Sequence, residues 1–560
     1  MYLCVLPILK MIYPKIPLAQ SLLEICNAKD IHDIVISPGS RNAPLTIGFA
    51  SNPAFQCYSI ADERCAAFFA LGIAQQKQKP VVLVCTSGSA LLNYYPAVAE
   101  AFYSQIPLIV LSADRPKSKI DIGDGQTIRQ ENVFANHILF NANLHEDASE
   151  ENDLKVNEAI AIAVNQKGPV HINAPFEEPL YETVSELSVQ PLLVESKQQK
   201  KEIPALDVFV QLWNSAKKKL ILIGGNYPDA IDAALVNQLA NDASVVVMTE
   251  VTSNLHHPNF ISNIDTQITP FTDDDFKAFQ PEILITLGGM VVSKRVKAFL
   301  RKYQPKQHWH IDALRAYNTF GCLTHHFETT PNAFFSVFLP KTMAIESDYL
   351  QNTLKVKALR KIKHADYLKT IPFSDMKVFE TILPMLPENC QLQISNSSPI
   401  RYAQLFDIHP SIEVFCNRGT SGIDGSTTTA IGAAFASGKP TIMITGDVSF
   451  FYDSNALWNS YIPKNFKIIL INNGGGGIFR ILPGHQETPV FNTFFETSHS
   501  LTAEHLAKMY GFEYFKSDDE IKLQTAMKVF LAADKPAIIE IFTPTEINNQ
   551  VLLKYFKNLV

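Results

Sequence analysis

The feature that most constrains this chain is a repeated alternation. Short runs of Val, Ile and Leu close in Gly, Ser or Asp turns, and Ala-rich stretches with helical spacing follow them. Strands apolar on both faces must be covered by helices on both sides, as in a parallel sheet wound by crossover helices. In the first segment the runs are Asp33 to Ile36, Val81 to Cys85, Leu108 to Leu111 and Val170 to Ile172. The second segment has Leu220 to Ile223, Val245 to Met248, Ile283 to Leu287 and Trp309 to Ile311. In the third they are Gln391 to Ile394, Val414 to Cys416, Thr441 to Thr445, Lys467 to Ile471 and Ala537 to Ile541. The expectation is an α/β protein of three doubly wound, mainly parallel-sheet domains at residues 11–190, 203–345 and 370–560. Ser185 to Glu202 loses periodicity and reads as a solvated linker, and the Lys-rich Leu354 to Lys363 reads as a connecting helix. Met11 is an alternative start to Met1.

Charge narrows the partners. Lys plus Arg is 48 against 55 Asp plus Glu, a net charge of −7, which disfavours nucleic acid. The 8 cysteines form no CxxC pair and several lie in apolar runs, as expected of buried thiols in a reducing, cytoplasmic setting. No apolar stretch approaches the roughly 18 residues that span a bilayer. Gly432 to Pro440 has the wrong spacing for a phosphate-binding P-loop and Pro where Ser or Thr is needed. His256-His257, His308, His310 and His325-His326 lack matching Cys or carboxylate spacing and read as packing residues; Asp273-Asp274-Asp275 reads as a solvated turn.

In open α/β sheets ligands bind beyond the carboxyl ends of the strands. Thr441 to Asp447, a helical stretch through Trp458, and Phe466 to Gly477 form one strand–helix–strand unit. Its parallel strands bring Asp447 and Asn473 to the same sheet edge. A carboxylate beside an amide oxygen is a hard donor pair that suits Mg²⁺, and Gly474 to Gly477 allow close approach of a diphosphate and can supply a carbonyl. Glu63 follows a strand-like run ending at Ile60 and opens an Ala/Phe-rich helical stretch, Ala66 to Ala74. Burial there favours its protonated form and the helix dipole its ionised form, and the sequence leaves both open. The chain has 11 Arg against 37 Lys, and Arg41, Arg64, Arg115, Arg129, Arg295, Arg401, Arg418 and Arg480 fall in or beside these turns. Guanidinium groups converging on one crevice suit substrates with more than one carboxylate.

Gly446-Asp447, followed by Asn472-Asn473, resembles the diphosphate and Mg²⁺ motif of thiamine-diphosphate enzymes, with Val448 in place of the usual third glycine. Together with Ile36 to Leu45 (Ser-Pro-Gly-Ser-Arg at its core), Asp62-Glu63-Arg64, Thr86 to Ser89, Ser112 to Pro116, Gln126 to Gln130, Ser293-Lys-Arg295 and Asn417 to Gly425, the chain resembles one family among them. That family is the 2-succinyl-5-enolpyruvyl-6-hydroxy-3-cyclohexene-1-carboxylate synthases of menaquinone biosynthesis. The resemblance implies pyrimidine-binding, central and diphosphate-binding domains, in that order. It implies a transferase that decarboxylates 2-oxoglutarate and adds the succinyl carbanion to isochorismate in a 1,4 sense. The implied cofactors are thiamine diphosphate and Mg²⁺ or Mn²⁺. By the same resemblance Glu63 is the catalytic acid toward the aminopyrimidine ring. Ile423, Gly446, Asp447, Asn473, Gly475, Ile478 and Phe479 bind the cofactor, with Asp447, Asn473 and Gly475 on the metal. Ser40, Arg41, Arg115, Gln126, Lys294, Arg295, Ser397, Arg401, Arg418 and Leu482 surround the substrates. A homodimer or dimer of dimers is implied, with the glutamate and the diphosphate site contributed by different subunits. The nearest rival is another thiamine-diphosphate 2-oxoacid decarboxylase or an acetolactate synthase-like carboligase, which lacks the paired Ser-Pro-Gly-Ser-Arg and Ser-Lys-Arg elements.

Overall fold

The computed structural model describes residues 12–195, 205–481, 484 and 486–560. It contains three parallel sheets. The first comprises β1 (Asp33–Ile36), β2 (Gln56–Ser59), β3 (Val81–Cys85), β4 (Leu108–Asp114), β5 (Phe140–Asn143) and β6 (Val170–Pro175), ordered β2-β1-β3-β4-β6-β5. The second comprises β7 (Lys219–Ile223), β8 (Val245–Thr249), β9 (Ile283–Leu287), β10 (Gln307–Ile311) and β11 (His325–Phe327), ordered β8-β7-β9-β10-β11. The third comprises β12 (Gln391–Ile394), β13 (Glu413–Phe415), β14 (Thr441–Gly446), β15 (Phe466–Asn472), β16 (Glu513–Ser517) and β17 (Ala537–Phe542), ordered β13-β12-β14-β15-β17-β16. The first and third sheets share one strand order. Most inner strands are buried along nearly their whole length, with β10 partly exposed at Gln307 and His310, so their apolar runs were readable. β2, β5, β11 and β16 lie at sheet edges, are partly exposed and carry polar residues; the strand-like run ending at Ile60 marked β2, and no apolar run announced the other three.

The residues form two compact units, one built on the first sheet with residues 427–438 and 455–463, the other on the second and third sheets. In the first unit the Glu63–Lys77 helix crosses the Ser426–Ser437 helix at two glycines. A Cβ on Gly72 would lie 2.2 Å from the Thr429 carbonyl oxygen, and one on Gly432 2.2 Å from that of Phe69. Gly432 therefore sits within a helix, as close packing requires, and not in a phosphate loop. Tyr58 packs edge-on against Phe435 and Tyr461, at 5.2 and 5.3 Å between centroids. The Tyr461 hydroxyl accepts the Ser59 N–H at 2.8 Å.

Two sequence readings need correction. The expected solvated linker is tied down over 188–194: Leu192 N–H donates to Asp153 Oδ2 (2.8 Å), Val194 N–H to Asn157 Oδ1 (3.0 Å), and Ser188 N–H to Gln20 Oε1 (2.8 Å). Its continuation over 196–202, like the alternative start at Met11, lies outside the described residues. Asp273, Asp274 and Asp275 are the first turn of the Asp273–Phe279 helix, where carboxylates favour the exposed N–H groups, and Thr272 and Asp275 form a capping box. The Lys-rich stretch is helical over Tyr349–Leu368. Among the described residues no two cysteines form a disulfide; Cys26, Cys65, Cys85 and Cys390 are buried and Cys57, Cys322 and Cys416 only partly so. No helix among them is long and apolar enough to cross a membrane.

The histidines of the second sheet are packed. His308 Nε2 and His310 Nδ1 share the Thr286 hydroxyl at 2.8 Å each, and burial holds both imidazoles down to about 4. Their folded pKa lies below the unfolded value of roughly 6.5, so the unfolded chain binds the extra protons. Stability is complete above about pH 6.5 and falls as pH drops toward 4, by up to about 3 kcal/mol for His308. Thermal melts between pH 7 and 4.5 should show a smaller acid-induced loss in His308→Gln than in the parent protein.

Candidate functional site

β14 and β15 run in parallel with Gly446 opposite Ile471, so the residues that follow them emerge side by side. Asp447 is buried; its Oδ1 accepts the Val448 N–H (2.7 Å) and its Oδ2 the Gly475 N–H (2.9 Å). Val448, where the motif usually has glycine, thus keeps its N–H in use. His499 Nε2 lies 3.4 Å from Asp447 Oδ2, and the carboxylate raises the imidazole pKa. Asn473 is 8% exposed, and its Nδ2 donates to Asp375 Oδ2 at 3.0 Å. That bond leaves Asn473 Oδ1 buried without a hydrogen-bond partner. Asp375 also accepts the Thr543 hydroxyl (2.6 Å), and burial pushes its carboxyl up to about 6. An orphaned amide oxygen beside an ionisable carboxylate is a cation's environment, and its all-oxygen chemistry fits Mg²⁺ or Mn²⁺. Gly475 has φ +151°, and a Cβ there would lie 2.7 Å from the Glu496 carbonyl oxygen, so the loop admits only glycine.

That loop is held by a buried ion pair. Arg480 grips both carboxylate oxygens of Glu496, Nη2 to Oε2 at 2.7 Å, with side-chain exposures of 6% and 1%. Ile478, partly buried, joins Asp375, Ser398, Arg401, Tyr402 and Ile481 in lining a cleft; Phe479 is exposed and packs on Phe495. The Nε groups of Arg401 and Arg418 are buried without partners, while Arg418 Nη1 donates to Asn396 Oδ1 at 2.6 Å. Burial, then the Arg418 charge, lowers the Arg401 pKa. Two guanidinium groups with unused donors, held near each other away from water, are poised for anions. Ser397, before the Ser398–Ala403 helix, takes φ +73°, a strained conformation for a residue with a Cβ. The Ile423 carbonyl accepts the Ser449 hydroxyl at 2.7 Å. Lys294 and Arg295 are exposed at the start of the Lys294–Lys302 helix, with Arg295 4.5 Å above the Phe556 ring. Leu482 lies outside the described residues.

In the first unit Glu63 is the first residue of its helix, and Asp62 Oδ1 caps it by accepting the Cys65 N–H at 3.1 Å. Glu63 is half-buried. Desolvation raises its pKa, the charge of Asp62 adds to this, and the bond to its own backbone N–H opposes it, so burial outweighs the helix start. Ser40 and Gln126 are exposed, and Arg115 is half-buried with Nε unpartnered. Arg41 departs from the expectation of a guanidinium free for substrate. Nη1 donates to the Phe176 carbonyl (3.0 Å) and Nη2 to Glu178 Oε1 (3.1 Å), which engages two of its five N–H donors, while the buried Nε has no partner among the described residues. Sequence reasoning passed over Gln130 as a binding residue. Fully buried, it accepts the Gly88 N–H (2.9 Å) and donates to the Ala113 carbonyl (3.1 Å) and Asn173 Oδ1 (2.8 Å). It therefore ties the 126–130 loop to the ends of β4 and β6; the Gln126 to Gln130 block of the family resemblance contains it, but only Gln126 was taken from that block as a site residue.

Three family profiles match in order. "Thiamine pyrophosphate enzyme, N-terminal TPP binding domain" covers residues 16–138, "Middle domain of thiamine pyrophosphate" covers 188–394, and "Thiamine pyrophosphate enzyme, C-terminal TPP binding domain" covers 397–541. A Flavobacterium psychrophilum protein named 2-succinyl-5-enolpyruvyl-6-hydroxy-3-cyclohexene-1-carboxylate synthase is 71% identical over 549 residues, 98% of this chain and 100% of the relative. Proteins of the same name from Flavobacterium johnsoniae and Christiangramia forsetii are 69% and 52% identical, over 98% and 97% of this chain and 100% and 99% of their own.

Cutting one arm of a buried charge pair strands the other. Arg480→Met should cost about 3–5 kcal/mol in chemical denaturation, whereas Arg480→Met with Glu496→Gln should recover part of that loss.

Proposed function

The chain belongs to the 2-succinyl-5-enolpyruvyl-6-hydroxy-3-cyclohexene-1-carboxylate synthases among the thiamine-pyrophosphate enzymes, and from that membership we propose that it decarboxylates 2-oxoglutarate and joins the succinyl fragment to isochorismate by 1,4-addition. CO₂ leaves and the synthase product is the acceptor adduct. The observation that carries this reading is the unpartnered Asn473 Oδ1 beside Asp447, in the unit that also holds Arg401 and Arg418 with unused guanidinium donors. The proposed divisions are residues 11–190 for the pyrimidine end, 203–345 for the central domain, and 370–560 for the diphosphate and metal. A cytoplasmic homo-oligomer, dimer or dimer of dimers, completes the proposal, and sedimentation of the purified protein tests its assembly.

Thiamine diphosphate, when bound, supplies a site that stabilises an acyl carbanion equivalent, which decarboxylation followed by carbon–carbon bond formation requires. Asp447, Asn473 Oδ1 and the Gly475 carbonyl hold Mg²⁺ or Mn²⁺ for its diphosphate, with Asp375 orienting the Asn473 amide. Glu63, its carboxyl shifted toward the protonated form, holds a proton for the aminopyrimidine nitrogen. Arg401 and Arg418 bind the oxoacid's carboxylates, and Ser40, Arg41, Arg115, Gln126, Lys294, Ser397 and Arg401 receive isochorismate, with Arg295 beside Lys294 as a further substrate cation. In Arg41 the Phe176 and Glu178 bonds use one N–H on each Nη, and Nε with the second N–H of each Nη would serve this task. Ile423 supports the cofactor rings. Ile478 and Phe479, with Leu482 by family resemblance, would supply apolar surface beside the bound cofactor, and a low local dielectric favours decarboxylation.

Glu63→Gln should retain cofactor binding in calorimetry and lose about 10²–10⁴-fold in turnover. Asp447→Ala should weaken Mg²⁺-dependent cofactor binding by about tenfold or more. Feeding 2-oxoglutarate or pyruvate, each with and without isochorismate, tests the substrate assignment: turnover on pyruvate alone would transfer it to a simple decarboxylase or an acetolactate synthase-like carboligase.

A further inference from the structure

Behind Lys294 and Arg295 the second unit carries a buried carboxylate that no motif announced. Glu250 follows β8 directly and is 3% exposed. Its Oε2 accepts the Val292 N–H and its Oε1 the Ser293 N–H, both at 2.7 Å, while its own N–H donates to the Ser253 hydroxyl at 2.9 Å. Ser293 in turn caps the Lys294–Lys302 helix by accepting the Val296 N–H at 3.1 Å, and its hydroxyl donates to Asp265. The two residues that precede Lys294 are therefore held by acids from both sides. A two-point grip on consecutive backbone N–H groups fixes where the helix starts and how it is rotated, so the first residues of that helix move with it. The charges that act on Glu250 are Arg418, Asp265 and Lys297, and Arg295 and Arg401 act on Asp265.

We propose that Glu250 is a positioning residue: its carboxylate locks the Val292–Ser293 backbone and so sets where Lys294 and Arg295 present their charges to a polycarboxylate substrate. The inference rests on the substrate reading given above. Burial pushes the Glu250 carboxyl up to about 7, against the pull of the two N–H groups and of Arg418. The lock is therefore complete above neutrality. It weakens as pH falls, because protonation replaces one acceptor lone pair with an O–H that faces an N–H.

The test compares full-length Glu250→Gln, Glu250→Asp and the parent protein. Glu250→Gln keeps the shape but offers one N–H group an amide NH₂. It should bind thiamine diphosphate with Mg²⁺ within about twofold of the parent, raise KM for isochorismate about tenfold and leave kcat within about threefold. The acid limb near pH 7 in the parent's kcat/KM should be absent in Glu250→Gln, and amide hydrogen exchange over 290–300 should be faster. Glu250→Asp should recover part of the KM and, if Glu250→Gln does not fold, carries the binding, KM and exchange readouts. An unchanged KM with the same acid limb, or a cofactor affinity that falls in step with kcat, overturns the proposal. If the parent itself fails to convert the two substrates, the functional reading fails instead. Exchange over 290–300 then still decides: acceleration in Glu250→Gln supports the lock and unchanged exchange overturns it.

Discussion

A parallel strand buried on both faces leaves nowhere for chemistry except where it ends. All three sheets obey that constraint, and it explains how the functional residues are distributed. Asp447 and Asn473 follow β14 and β15, Arg115 follows β4, Glu250 follows β8, and Glu63 opens the helix after β2. Each arrives at a carboxyl-terminal strand edge because the interior positions of its strand are spent on packing against helices. The ladder that holds the sheet together thus also delivers polar side chains to one edge, without requiring loops to fold independently.

Polar groups gathered at such an edge must be satisfied or matched by a ligand. Most are satisfied within the chain. Glu540, fully buried, accepts from Asn472 Nδ2 (2.7 Å), the Thr502 hydroxyl (2.7 Å) and the Tyr514 hydroxyl (2.6 Å). Gln130 and Glu496 are saturated in similar ways. Against that background the exceptions carry information: Asn473 Oδ1 wants a donor or a cation, and the Nε groups of Arg401, Arg418 and Arg115 want acceptors. Leaving a buried polar atom unpaired costs about 1–3 kcal/mol; other buried atoms, Trp213 Nε1 and Arg360 Nε among them, also lack a partner among the described residues, and these four are set apart by lying at or near strand ends.

Legibility in the sequence followed burial. The inner strands were readable because end-to-end apolar runs have few alternatives, and 283–287 and 391–394 emerged with the boundaries expected. The edge strands were not, since Phe140–Asn143 and Glu513–Ser517 need only one covered face and mix polar with apolar residues. Asp447, Asn473 and Glu63 could be read because spacing relative to strands fixes them. Arg41 was read as a binding cation when two of its guanidinium donors are engaged by Phe176 and Glu178, more than a hundred residues away. Gln130 and Glu250 went unread as site residues for the same reason, since their importance lies wholly in contacts across the fold. The acidic run at 273–275 was misjudged because charge alone suggests solvent, while Thr272 ahead of it supplies the cap that makes it a helix start.

The division of labour between the two cations follows from the same physics. The chain uses few arginines among many lysines, and the lysine ion pairs are mostly exposed, as with Lys79–Asp30 and Lys522–Asp518, where such pairs add little. Arg41, Arg401, Arg418 and Arg480 are instead at least partly withdrawn from water, where a point-charge ammonium would lose most of its hydration and a planar guanidinium loses less. Burying Arg401 near Arg418 is unfavourable, because burial and then the Arg418 charge lower Arg401's affinity for its proton and Asp265 only partly compensates. A dianionic ligand removes that repulsion and fills the unused donors in one step. Under the proposed function, the same two groups would provide both the affinity for a polycarboxylate and the discrimination against a neutral or singly charged analogue, which would leave part of the repulsion in place.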